Sequence, residues 1–132
     1  MYNTVSLSLY AHKTELKILL WDKDTGSALW WGRERLAKNS QEEILKGLLR
    51  VLSKVNKHLP LNKKLEIEVT NVTLLNTLRW GMTDKVSREL KEKLITLPVV
   101  GYSLIRKSTP KAKTFSGFNY RRKENLDDTL II

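Results

Sequence analysis

The chain contains no cysteine. That single absence excludes a disulfide framework, a thiolate zinc site and a cysteine nucleophile. Imidazole is nearly as scarce: His12 and His58 are the only two histidines and lie far apart, too little for a histidine-rich metal site or a Ser-His-Asp triad. Each reads as a turn or surface residue. No window holds eighteen consecutive apolar residues, so no segment is expected to cross a membrane. Met1-Tyr2-Asn3-Thr4 lacks the basic start and long apolar run of a signal peptide. The expectation is an intracellular, cytoplasmic chain with no membrane partner. Acid is the last shortage, with 14 Asp and Glu against 24 Lys and Arg and a net charge of +10. A small protein this basic is drawn to polyanions, nucleic acid first and acidic protein second; surplus lysine on an otherwise ordinary surface is the plainer reading of the same number.

What is present is strongly periodic. The 132 residues suit one domain, or one domain with a tail, and 41% are hydrophobic, enough for a core. Thr4 to Tyr10 alternates, with Val5, Leu7 and Leu9 on one side, which predicts a strand. His12-Lys13-Thr14 turns the chain, Leu16, Ile18 and Leu20 carry a second strand ending at Trp21-Asp22, and Asp22-Lys23-Asp24-Thr25-Gly26 turns it again. Ser27 to Arg35 is a third strand with Trp30-Trp31 at its centre. From Gln41 to His58 the spacing becomes helical, through Ile44, Leu45, Leu48, Leu49, Val51, Leu52 and Val55. Pro60 and Asn62 end that helix. Leu65 to Val69 alternates again, Val72 to Trp80 reads as a short helix closed by Gly81, Asp84 to Leu97 as an amphipathic helix stopped by Pro98, and Val99 to Ile105 as a fifth strand. A helix between two strands implies a right-handed crossover and parallel pairing. The reading is one α/β domain over residues 1–107, with a five-stranded mixed sheet. A mobile basic loop is expected over 108–123, and a C-terminal segment over 124–132 that ends in a short helix.

The order β-β-β-α-β, with a meander feeding a crossover helix, resembles the ribonuclease H fold. Three short stretches strengthen the resemblance. Asn39 and Glu43 match that family's Asn-Asn-x-x-Glu entry to the first helix, with Ser40 in place of the second Asn. Val69-Thr70-Asn71 matches the Ser/Thr-Asp end of its fourth strand, with Asn71 in place of Asp. Asp127 or Asp128 stands near the final carboxylate. The resemblance implies four carboxylates holding two divalent ions for phosphodiester hydrolysis. Here the first strand has Ser8 and Tyr10 near its end and no acid between Met1 and His12, and the last loop has no histidine. Neutral side chains cannot supply the missing charge, so Glu43, Asn71, Asp127 and Asp128 read as a vestigial site with no metal and no cofactor. Each also has a structural reading: Ser40 and Glu43 form a capping box, Asn71 is a favoured N-cap, and Asp127 and Asp128 belong to a terminal turn.

Two basic groups are the candidate binding residues. Arg33 and Arg35 follow the Trp pair on one face of the third strand. Arg106, Lys107, Lys111, Lys113, Arg121, Arg122 and Lys123 form the second group, with Phe115, Phe118 and Tyr120 inside it. Cations interleaved with aromatics suit phosphate neutralisation and base stacking; a solvated loop is the alternative. The resulting expectation is a non-catalytic binder of duplex, RNA-containing nucleic acid with low sequence specificity. Two alternatives stay open. One is an adaptor or inhibitor, of the kind a phage or mobile element carries, that docks an acidic protein. The other is a weak nuclease using Mg²⁺ on Glu43, Asp127 and Asp128.

Overall fold

A computed structural model describes residues 3–70, 72–80 and 85–119. Strands β1 (Thr4–His12), β2 (Glu15–Asp22) and β3 (Ala28–Arg35) form an antiparallel meander. Helix α1 (Gln41–His58) crosses over to β4 (Lys63–Val69), which pairs parallel to β1. Helices α2 (Val72–Trp80) and α3 (Lys85–Leu94) lead to β5 (Val99–Arg106), parallel to β4. The sheet order is β3-β2-β1-β4-β5. The five-stranded mixed sheet and the parallel pairing after the crossover helix, both expected from the sequence, are present, and β4 with β5 adds a second parallel pair.

Alternation sorts the strands into two faces. Val5, Leu7, Leu9, Leu16, Ile18, Leu20, Leu65, Ile67 and Val69 share the first face and join one large core with α1. That helix contributes Ile44, Leu45, Leu48, Val51, Leu52 and Val55, all buried. Burial of such side chains stabilises the fold by about 1.5–3 kcal/mol each. Trp30 belongs to this face and is 1% exposed. Its indole lies across Gly32, where any Cβ would come within 2.8 Å of the ring. The β2–β3 turn is fixed from inside: the Asp22 carboxylate accepts from the Asp24 N–H at 2.9 Å and from the Lys63 ammonium at 2.8 Å. Gly26 closes that turn at a φ of +78°, which disfavours any side chain.

Two expectations are corrected. The helix read as Asp84 to Leu97 ends at Leu94. Ile95, Thr96 and Leu97 instead form turns, with the Thr96 N–H donating to the Lys93 carbonyl and the Leu97 N–H to the Leu94 carbonyl. Pro98 disfavours helical geometry in the residue before it, so the helix tightens and stops early. Asp84 lies outside the described residues. The segment expected as a mobile loop forms α4 (Lys111–Thr114) and a 3-10 turn (Ser116–Asn119). Ala112 and Phe118 are buried against Leu19 on the second face of the sheet. Lys111 to Asn119 is therefore a strap laid over the face that α1 does not cover.

Candidate nucleic-acid interface

The second face owes its chemistry to the other half of each strand alternation. Register places Tyr10 beside Lys17 and Lys17 beside Arg33, in one row across β1, β2 and β3. The neighbouring row holds Glu68, Ser8, Leu19 and Trp31. The strap packs on both rows. The Ala112 N–H donates to Ser8 Oγ at 2.9 Å, and the Arg33 guanidinium donates to the Phe118 carbonyl. Phe115 meets Trp31 edge-on with centroids 5.1 Å apart and meets Phe118 at 5.6 Å.

Cations roof these rings. Lys17 Nζ lies 5.5 Å from the Phe118 centroid and the Arg33 guanidinium carbon 5.6 Å from it. Lys111 Nζ stands 5.3 Å from Trp21, and Lys113 Nζ 5.6 Å from Tyr10. Each contact holds an ammonium or guanidinium over an aromatic face, at about 0.5–1 kcal/mol where exposed. Lys107, just past the end of β5, has its ammonium 3.8 Å from Glu68 Oε2. Glu68 is 1% exposed, and its Oε1 has no hydrogen-bond partner. Cations thus run from β5 to β3, four strand spacings or roughly 19 Å.

Sequence reasoning placed some of these residues and missed others. Arg33, Lys107, Lys111 and Lys113 come together on this face. Arg35 also lies on it, one row nearer the β1–β2 turn beside Glu15, and Arg106 is exposed at the end of β5. Phe118, expected to stack on bases, is only 5% exposed. Phe115 is half-buried between Trp31 and Phe118. Both rings are engaged in packing, because Ala112, Phe115 and Phe118 recur every third residue and turn one side to the sheet. Tyr120, Arg121, Arg122 and Lys123 lie outside the described residues. Lys17 was missed, although hairpin register around the Asp22–Gly26 turn would have put it opposite Arg33.

The metal-site candidates are only partly in view. The Ser40 Oγ accepts from the Glu43 N–H at 3.3 Å, and Glu43 Oε1 accepts from the Ala37 N–H at 3.1 Å. Its other oxygen lies 3.6 Å from Lys46 Nζ. The Glu43 carboxylate thus holds the chain entering the helix; the Ser40 N–H donates to the Lys38 carbonyl instead, so only the Ser40 half of the expected capping box is formed. Ser8 is bonded to the strap and Tyr10 is covered by Lys113. Among the described residues no three His, Asp or Glu side chains gather in a way that could hold a metal ion. Asn71, Asp127 and Asp128 lie outside the described residues. Among the described residues no helix is long and apolar enough to cross a membrane.

The chain matches no protein-family model and no curated protein sequence. Its fold matches solved structures. Ribonuclease H1 of the halophilic archaeon Halobacterium salinarum superposes with a TM-score of 0.55 at 11% identity, covering 81% of this chain and 86% of that one. The N-terminal ribonuclease H domain of a Mycobacterium tuberculosis protein, solved as a fusion with maltose-binding protein, gives 0.55 at 8% identity, covering 79% and 84%. A foamy viral protease–reverse transcriptase in complex with double-stranded DNA gives 0.51 at 11% identity, covering 81% of this chain and 20% of that one. The fold is ribonuclease-H-like, as its element order suggested.

Proposed function

We propose that this ribonuclease-H-like domain is a non-catalytic nucleic-acid binder that acts inside the cell and holds the sugar–phosphate backbone of an RNA-containing duplex. The observation that carries the reading is the row of cations over the second face: Lys107, Lys113, Lys17 and Arg33, with Lys111 and Arg35 beside it; Arg106, in register with Val69, belongs to the opposite face. Lys17, Arg33, Lys111 and Lys113, held over aromatic rings, lose little further entropy on binding phosphates. The rings themselves face inward or lie under the strap, so base stacking contributes little and sequence preference is low. Arg121, Arg122 and Lys123 follow the strap in sequence and add three positive charges to the chain. The reverse transcriptase in complex with double-stranded DNA, a fifth of whose chain matches this fold, lends support by analogy only.

The absence of an acid on β1 and the engagement of Glu43 at the helix entrance support binding without cleavage. Incubating the protein with labelled RNA–DNA hybrid and Mg²⁺, then resolving the strands on a denaturing gel, tests this. Bound but intact strands are expected. Cleavage that EDTA and Glu43→Ala both abolish would overturn the reading in favour of a nuclease built on Glu43, Asp127 and Asp128.

A further inference from the structure

Among the described residues four large aliphatic side chains stand more than half exposed. Three of them lie at the end of the sheet away from the cation row. Leu61 (71% exposed) lies in the turn from α1 to β4, and Ile95 (68%) in the turn from α3 to β5. Val100 (68%) is the residue skipped when the β4–β5 register shifts between the Lys63–Val99 and Lys64–Gly101 pairs. Because α1 packs on α3 and β4 pairs with β5, both turns enter the same end of the sheet. The cation row is level with the other end of β4, about 20 Å along the strand.

These side chains are not loose ends of an unfinished core. Leu59 and Leu97, in the same two turns, are buried. Hydrogen bonds from the Ile95 N–H to the Lys91 carbonyl and from the Leu59 N–H to the Asn56 carbonyl fix the turns. Asn62 holds a left-handed φ of +61° next to Leu61. The turns thus bury one leucine each and leave a second aliphatic residue outside. Lys57, Lys64, Lys91 and Lys93 surround this end, all exposed and none ion-paired with a carboxylate among the described residues. Glu92 interrupts the run, and Asp24, whose carboxylate accepts from the N–H of Thr4 beside Lys64, borders it on the β1 side.

We propose that this end is a second docking surface, for an acidic protein segment that presents an apolar side chain flanked by Asp or Glu. Charge complementarity selects that occupant. A second copy would bring one lysine rim against another, on chains already carrying +10. A lipid surface is met by an amphipathic helix with aromatic anchors, whereas these residues are aliphatic and come from two turns and a bulge. Backbone phosphates gain nothing from exposed aliphatic groups. The two surfaces lie at opposite ends, so an acidic partner and a polyanion on the cation row bind at the same time. The proposal stands independently of the nucleic-acid reading.

The test is an amide-shift titration of the ¹⁵N-labelled full chain with two synthetic peptides of equal negative charge, one with leucines set among glutamates and one with serines in their place. The leucine peptide is expected to shift Leu61, Asn62, Ile95 and Val100, with saturating duplex changing its affinity less than two-fold. The serine peptide, and an Ile95→Ser/Val100→Ser variant, are expected to bind at least ten-fold more weakly at this end. If that variant melts early, the serine peptide on the unaltered chain carries the test. Equal binding of both peptides, shifts confined to the cation row, or no shift overturns the proposal. So does self-association relieved by the double substitution, which assigns the surface to a second copy. Shifts of the same residues by anionic vesicles and not by the peptide overturn it too, and assign the surface to lipid.

Discussion

On the side of the sheet covered by α1, α2 and α3, the strands present Val, Leu and Ile, and the helices answer with more of the same. On the side covered by the strap they present Ser8, Tyr10, Lys17, Leu19, Trp21 and Trp31, answered by Ala112, Phe115, Phe118 and lysines. The first face is dry and closed by an eighteen-residue helix; the second is closed by two four-residue turns. Aromatic and long basic side chains bury their bodies while keeping their polar tips in water. A thin cover of such residues can therefore complete the fold and still display charge. The division of labour is stability on one face and recognition on the other.

Substitutions that separate the faces break the comparison most sharply. Leu48→Ala, at the centre of α1, is expected to lower global stability by about 2–5 kcal/mol in urea unfolding and to leave the salt dependence of duplex binding unchanged. Phe118→Ala is expected to act locally. Less than the usual ~3–5 kcal/mol for Phe→Ala appears in the global transition, because the strap opens as its own unit. The Ala112 amide becomes less protected from hydrogen exchange while α1 keeps its own protection. Comparable global destabilisation by both would mean that the second face is as much core as the first.

Smaller effects sharpen the account. Asp22 is held below its ordinary pKa of 3.8, chiefly by the hydrogen bond from Lys63. A carboxyl lowered in the folded state adds stability that is present above its unfolded pKa and is lost as pH falls through the folded value. Asp22→Asn should therefore flatten the acid side of the stability curve below about pH 4 and leave its neutral-to-basic slope unchanged. A change confined to the region above about pH 6 would contradict this assignment. Glu43→Ala is expected to cost about 1 kcal/mol, because the Ala37 N–H is left without its carboxylate acceptor at the helix entrance. Thermal melting reads that cost, and duplex affinity is expected to stay unchanged.

The first face was legible in the sequence because its rule is simple. Alternating aliphatic residues mean strands, and Ile44 to Val55 at helical spacing means a helix that covers them. The element order read from these patterns is what resembles the ribonuclease H fold. The second face was harder, because Trp31, Phe115 and Phe118 look the same in sequence whether they stack on a ligand or on each other. Phe118 among Lys and Arg read as a binding residue, yet its ring is buried while its cationic neighbours remain outside. Lys17 was hidden among residues counted only for their apolar alternates. The vestigial-site residues divide in the same way. Glu43 was readable as a capping residue from Ser40 three positions before it, whereas Asn71, Asp127 and Asp128 lie outside the described residues.

The central claim is that the cation row of the second face binds nucleic-acid backbone. A fluorescence anisotropy titration of labelled RNA–DNA hybrid at several salt concentrations tests it most directly, comparing the unaltered chain with a Lys17→Ala/Arg33→Ala/Lys111→Ala/Lys113→Ala variant whose fold has been checked by its melting curve. The account predicts salt-sensitive binding, and a log–log salt slope shallower in the variant by roughly 0.7–0.9 for each phosphate that is no longer neutralised. Equal affinity and slope for a folded variant, or no binding of the unaltered chain at low salt, would contradict it.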